Sequence, residues 1–128
     1  MEMILMRLSG FYKSHSLHDC PINALRYCPE QGELTLDVDI CDDGQWSFLK
    51  GAIGLYDVCP ISFVFTGVSS YSISPDPLDF ATDEINSIRI ISSEQPGKEI
   101  IEFLLLSVPG KGVKFLQIEA ENVDWTEV

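Results

Sequence analysis

The sequence predicts an all-β protein. The expected form is an antiparallel sandwich or barrel-like sheet of about seven to nine short strands with at most one short helical turn. Three observations predict it. Residues 33–40 alternate strictly between polar and apolar side chains. Turn segments rich in Gly, Pro and Asp recur at fairly even spacing along the chain. No segment sustains the i, i+3, i+4 apolar spacing of an amphipathic helix.

Taken in order, Met3-Ile4-Leu5-Met6 reads as a short apolar strand or lid that Ser9-Gly10 ends, and Phe11 to Ser16 reads as loop. Pro21 lacks an N–H and suits the start or edge of a strand over Ile22 to Tyr27. Pro29-Glu30-Gln31-Gly32 is turn chemistry. Beyond it, Leu34, Leu36, Val38 and Ile40 point one way while Glu33, Thr35, Asp37 and Asp39 point the other. Period two over that length describes a half-buried strand with a solvated acidic face, and the two strands form a hairpin. Asp42-Asp43-Gly44 turns the chain into a strand-like stretch from Trp46 to Tyr56, interrupted by Gly51 and Gly54. Cys59-Pro60 punctuates. Ile61, Phe63 and Phe65 share a face of the next strand, and Val68 to Ser74 is another. Pro75 to Glu84 reads as a long acidic loop with one helical turn after Pro77. Strands resume at Ile85 to Ile91, at Glu99 to Val108 with Ile101, Phe103 and Leu105 on one face, and at Val113 to Ala120 with Leu116, Ile118 and Ala120 inward. Turns at Glu94 to Lys98 and Pro109 to Gly112 separate them. Residues 1–128 form a single β-rich domain of ordinary globular composition, 45% hydrophobic and 22% charged.

Charge narrows the function classes. Twenty acidic residues against eight basic ones give a net charge of −12. Such a surface repels phosphate backbones and anionic membranes, which argues against nucleic-acid and membrane partners. It steers toward a basic protein, and it also serves solubility. Cys20, Cys28, Cys41 and Cys59 contain no C-x-x-C pair, which argues against structural zinc. Met1 to Leu8 is too short for a secretory signal, and no apolar run spans a bilayer. The expectation is a cytoplasmic protein with reduced, mostly buried thiols.

Candidate chemistry is thin. His15, His18, Asp19 and Cys20 are metal-ligand types, but strand spacing puts positions i and i+3 on opposite faces. His18 and Asp19 therefore read as a structural turn, with no metal, no cofactor and no catalytic residue expected. No glycine-rich elbow or helix start presents a cysteine as a nucleophile. Asp37 and Asp39 lie on an exposed strand face, unsuited to paired-carboxylate catalysis. The acidic loops lack calcium-loop spacing, and phosphate-loop, dinucleotide and nucleophile-elbow motifs are absent from the sequence. Acids do cluster, around Glu33 to Asp43, around Asp76 to Glu84 and around Trp125. The expected partner-binding residues are Asp37, Asp39, Asp76, Asp79 and Glu84. Trp125, with the acidic tail around it, reads either as an aromatic anchor among acids or as a core residue or frayed tail.

Leu17-His18-Asp19-Cys20-Pro21-Ile22, leading into the first hairpin, resembles the opening of small β-rich bacterial immunity proteins, the antidotes of polymorphic and contact-dependent toxins. Gly51 to Val58 is similar to their second core strand pair. The resemblance covers roughly the first half of the chain, and Cys20 stands where a small residue, often alanine, is expected. It implies a cytoplasmic, non-enzymatic antidote that binds and neutralises a cognate toxin. Strong acidity would fit an inhibitor of a basic nuclease domain. The alternative expectation is an adaptor or assembly subunit, including a homodimer, acting through a sheet edge. A small metal-dependent or thiol enzyme using His15, His18 and a cysteine is the third reading.

Overall fold

A computed structural model describes residues 7–10, 20–41, 58–75, 77–78, 83–107 and 112–127. Alternation becomes strand wherever one face can be buried. The strands are β1 (Cys20–Cys28), β2 (Glu33–Cys41), β3 (Val58–Thr66), β4 (Ser70–Ser74), β5 (Asp83–Ser92), β6 (Glu99–Ser107), β7 (Gly112–Ala120) and β8 (Asn122–Glu127). They form one antiparallel sheet in the order β4-β7-β6-β5-β1-β2-β3-β8, which does not close into a barrel. The only helical residues described are 8–10, a single turn. None of the described helix is long and apolar enough to cross a membrane.

The sheet bends into two halves. Strands β5 and β1 pair only at Cys20↔Ile85 and Pro21↔Glu84. That short junction lets β4-β7-β6-β5 fold over β1-β2-β3-β8, so the inner faces meet as in a sandwich. Phe65 of β3 and Phe103 of β6 touch edge to face across the interior, with ring centroids 6.5 Å apart. Tyr27 and Tyr71 do the same at one margin, at 5.0 Å. Every residue expected inward on β2, β3, β6 and β7 is buried: Leu34, Leu36, Val38 and Ile40, then Ile61, Phe63 and Phe65, then Ile101, Phe103 and Leu105, then Leu116, Ile118 and Ala120. Each such aliphatic or aromatic side chain contributes about 1.5–3 kcal/mol by leaving water.

One end of the sandwich is a pair of interlocked corners. The chain passes from β3 to β4 through Gly67 and from β7 to β8 through Glu121. Glu121 N–H donates to the Thr66 carbonyl at 2.9 Å, and Ser69 N–H donates to the Glu119 carbonyl at 3.0 Å. Gly67 has φ +64, and a Cβ there would lie 2.5 Å from the Glu121 side chain. The backbone hand therefore favours glycine, and any Cβ would have to push the exposed Glu121 side chain aside.

Three expectations need correction. β3 runs through Cys59-Pro60 instead of starting after it, with Pro60 opposite Asp39. The pairing of β3 with β8 reaches only Ile61↔Glu127, so among the described residues Pro60 is flanked by β2 alone and its missing N–H is tolerated. Asp83 and Glu84 belong to β5, not to the preceding loop. The acidic tail is strand β8, whose Val123 and Trp125 are buried. The expected strands over 3–6 and 46–56, the loop at 11–16 and most of the segment after Pro77 fall outside the described residues.

Candidate functional site

The outer surface of β1-β2-β3-β8 gathers the acids. Glu33, Thr35, Asp37 and Asp39 project from β2, as alternation requires. Ser62 of β3 lies opposite Asp37, and Asp124 of β8 lies opposite Val64, one strand further out. Arg26 of β1 stands opposite Thr35, diagonal to Asp37. Among the described residues the face thus holds four carboxylates against one guanidinium.

Asp37 is not available to a partner in the way the sequence suggested. Arg26 Nη1 donates to its Oδ2 at 2.9 Å and Nη2 to its Oδ1 at 3.3 Å, while Ser62 Oγ donates to Oδ1 at 2.7 Å. Partial burial opposes its ionisation. The hydrogen bonds from Arg26 and Ser62 and the Arg26 charge outweigh that and hold the carboxyl below its ordinary range. The Arg26 guanidinium is raised in turn, chiefly by its hydrogen bond to Asp37. Asp39 and Glu33 have no ion-pair partner among the described residues and remain half-exposed. Asp124 differs: desolvation pushes its carboxyl up, and its Oδ1 is buried without a hydrogen-bond partner.

Trp125 is the core residue of the two readings. It is 5% exposed, sits in the hydrophobic cluster and pairs with Phe63, so its ring offers a partner no anchor. Glu84 is half-buried on β5, opposite Leu106 and Pro21, on the other half of the sheet from Asp39. Asp76, Asp79, His15, His18 and Asp19 lie outside the described residues. Cys20 and Cys28 carry thiols, the first buried and the second exposed, so Cys28 departs from the expected buried state. Among the described residues no group of three or more His, Cys, Asp or Glu side chains is placed to hold a metal ion.

The other outer face, on β4-β7-β6-β5, was not singled out from the sequence. Its registers define four rows. One runs Glu84, Leu106, Val113; a second runs Ser87, Leu104, Phe115, Ser74; a third runs Arg89, Glu102, Gln117, Ser72; a fourth runs Ile91, Ile100, Glu119, Ser70. Glu102 is only 5% exposed although it faces outward. Burial opposes its charge, but hydrogen bonds from Arg89 and Gln117 prevail and keep its carboxyl low. Phe115 and Val113 remain 41% and 48% exposed. Open depressions of about 320 and 290 Å³ flank Phe115. The legible signal was the unbroken run Phe103-Leu104-Leu105-Leu106, which leaves apolar side chains on both faces of β6.

Compared with known proteins, the chain matches no family model, no curated protein and no solved structure.

Proposed function

We propose that the chain is a non-enzymatic binding protein whose acidic β1-β2-β3-β8 face engages a basic protein. With the resemblance carried by Leu17 to Ile22, the reading becomes specific: a cytoplasmic immunity protein that holds a cognate, basic bacterial toxin domain inactive. One observation carries most of the weight. Asp39 and Glu33 project from one strand of a sheet face, while the nearest cation among the described residues, Arg26, is already bound to Asp37. The field of that face is therefore negative and uncompensated locally. Such a field accelerates encounter with a cationic surface more than it deepens the final complex. Each exposed ion pair adds at most about 1 kcal/mol, so affinity must also draw on apolar contacts.

The corresponding experiment is a titration of a purified basic nuclease toxin domain, sought among the genes adjacent to this one, with the chain itself. The expected result is loss of nuclease activity that is complete at one chain per toxin. The double variant Glu33→Lys/Asp39→Lys should need at least about tenfold more protein for the same inhibition. Undiminished nuclease activity at several-fold excess of chain would overturn the immunity reading. Equal potency of wild type and variant would remove this face from the interface.

A further inference from the structure

The outer face of β4-β7-β6-β5 is unlike the rest of this surface. In a chain of net charge −12, its middle is apolar. Leu104, Leu106, Val113 and Phe115 adjoin one another through the registers Leu106↔Val113 and Leu104↔Phe115. The inner face of the same strands is already spent on the core, where Ile101, Phe103, Leu105, Leu116 and Ile118 are buried. Strands apolar on both faces belong in sheets that are covered on both sides. A lone exposed Phe needs no explanation, but a contiguous cluster on a flat face does.

Charge indicates what covers it. The four rows carry Arg89, Glu102, Glu84 and Glu119. Arg89 binds Glu102 yet leaves its side chain 68% exposed, so the guanidinium can accept a second carboxylate. The rows holding Arg89 and Glu84 flank the Ser87-Leu104-Phe115 row on opposite sides. A two-fold axis lying along the Ser87-Leu104-Phe115 row, across the strands, turns each flanking row onto the other. Arg89 then faces Glu84 of a second copy, Phe115 faces Phe115, and Val113 faces Gln117. An axis along the strands instead leaves Arg89 opposite Gln117 and Glu84 opposite Val113, without charge pairing. Of these two arrangements only the first brings opposite charges together, and it sets Glu102 against Leu106.

Size permits it. Three strands of nine or ten residues and the shorter β4, spaced about 4.8 Å apart with about 3.4 Å per residue, present roughly 500 Å² per copy. With the axis on the Ser87-Leu104-Phe115 row about three rows overlap, so two copies would bury on the order of 800–1,000 Å², the size of a weak, reversible interface.

We infer that the protein forms a two-fold symmetric dimer in solution by packing this sheet face against the same face of a second copy, with Phe115 at its centre. The interface is distinct from the acidic face and from the sheet edges. It leaves Asp39 and Glu33 open on both outer sides of the dimer.

Sedimentation velocity from about 1 μM to about 1 mM chain tests this. The expected result is a species of twice the 14.3 kDa chain mass that gains population with concentration. Phe115→Asp should raise the dissociation constant about thirtyfold or more, as should Val113→Glu if Phe115→Asp fails to fold. Glu84→Lys should raise it about tenfold, and Asp39→Lys should leave it unchanged. Circular dichroism of each variant must match wild type for the comparison to count. A monomer throughout the range would overturn the inference, as would a dimer indifferent to both Phe115→Asp and Val113→Glu. A dimer sensitive to Phe115→Asp but not to Glu84→Lys would refute the proposed axis. A dimer weakened by Asp39→Lys would place it on the wrong face. None of these outcomes bears on whether a toxin domain binds.

Discussion

Lys114→Met removes the ammonium that lies 2.9 Å from Asp83 Oδ2 and also donates to the Pro77 carbonyl at 2.9 Å. The Asp83 side chain has no solvent exposure, and that of Lys114 is 17% exposed. Breaking a buried pair from one side leaves a carboxylate in the interior, which costs about 3–5 kcal/mol. Ser107 Oγ still donates to Asp83 Oδ1 at 2.7 Å, and Lys114's edge position admits some water, so the lower end applies. With an m-value of about 1.5 kcal/mol/M, a loss of about 3 kcal/mol lowers the urea midpoint by about 2 M. Urea unfolding followed by circular dichroism reads this directly. The double variant Asp83→Asn/Lys114→Met replaces both charges by neutral groups and should recover more than half of the loss, because a buried pair adds little beyond cancelling its own desolvation. A midpoint shift below about 0.5 M for Lys114→Met, or a double variant no better than the single, would refute the reasoning. The start of β5 would then not be held to β7 by this pair.

Two further predictions concern the fold. Gly67→Ala should cost about 2–3 kcal/mol, from the left-handed backbone and from the collision with Glu121; adding Glu121→Ala should recover the steric part, and thermal melts of both variants separate the two causes. Stability should also fall with acid. Asp37, Glu102 and Glu119 are all held below their ordinary values of 3.8, 4.5 and 4.5, Glu119 chiefly by hydrogen bonds from Ser69 and Ser93. Groups depressed in the folded state stabilise it fully above those values and lose that contribution as pH falls through the lower folded values. Asp124 is raised and works in the opposite sense, one group against three. Urea midpoints should therefore stay level above about pH 5 and drop below about pH 4.5, with Glu102→Gln flattening the drop; a midpoint that rises on acidification contradicts this.

Much of the fold was legible because burial acts locally. The alternation of Leu34, Leu36, Val38 and Ile40 states which face of β2 is covered, whatever covers it. Two kinds of residue misled. Asp83 and Glu84 look like loop because they are charged, yet Asp83 is buried. Its compensating Lys114 comes 31 residues later and is reached only through the order β5-β6-β7. β8 looks like an acidic tail because Asp124 and Glu127 dominate its composition. Its Val123 and Trp125 nevertheless alternate as inward residues of a strand that starts right after the Glu121 corner.

The candidate site was less legible. Asp39 and Glu33 lie on the solvated face as expected. The capture of Asp37 by Arg26 depends on a diagonal neighbour across the hairpin. The turn at Pro29-Glu30-Gln31-Gly32 predicts that register, so this contact was within reach of the sequence. Arg89, Glu102 and Gln117 are harder to read, because two successive hairpins, β5-β6 and β6-β7, must both be placed in register to bring them together.

The central claim is that the Asp39 and Glu33 face recruits a basic protein. Its most direct test is stopped-flow association of the chain with a purified basic nuclease toxin domain across salt concentrations. The account predicts a rate constant that falls steeply with added salt, and a Glu33→Lys/Asp39→Lys variant that associates at least about tenfold more slowly with a much shallower salt slope. A rate constant and slope unchanged by those substitutions would contradict it.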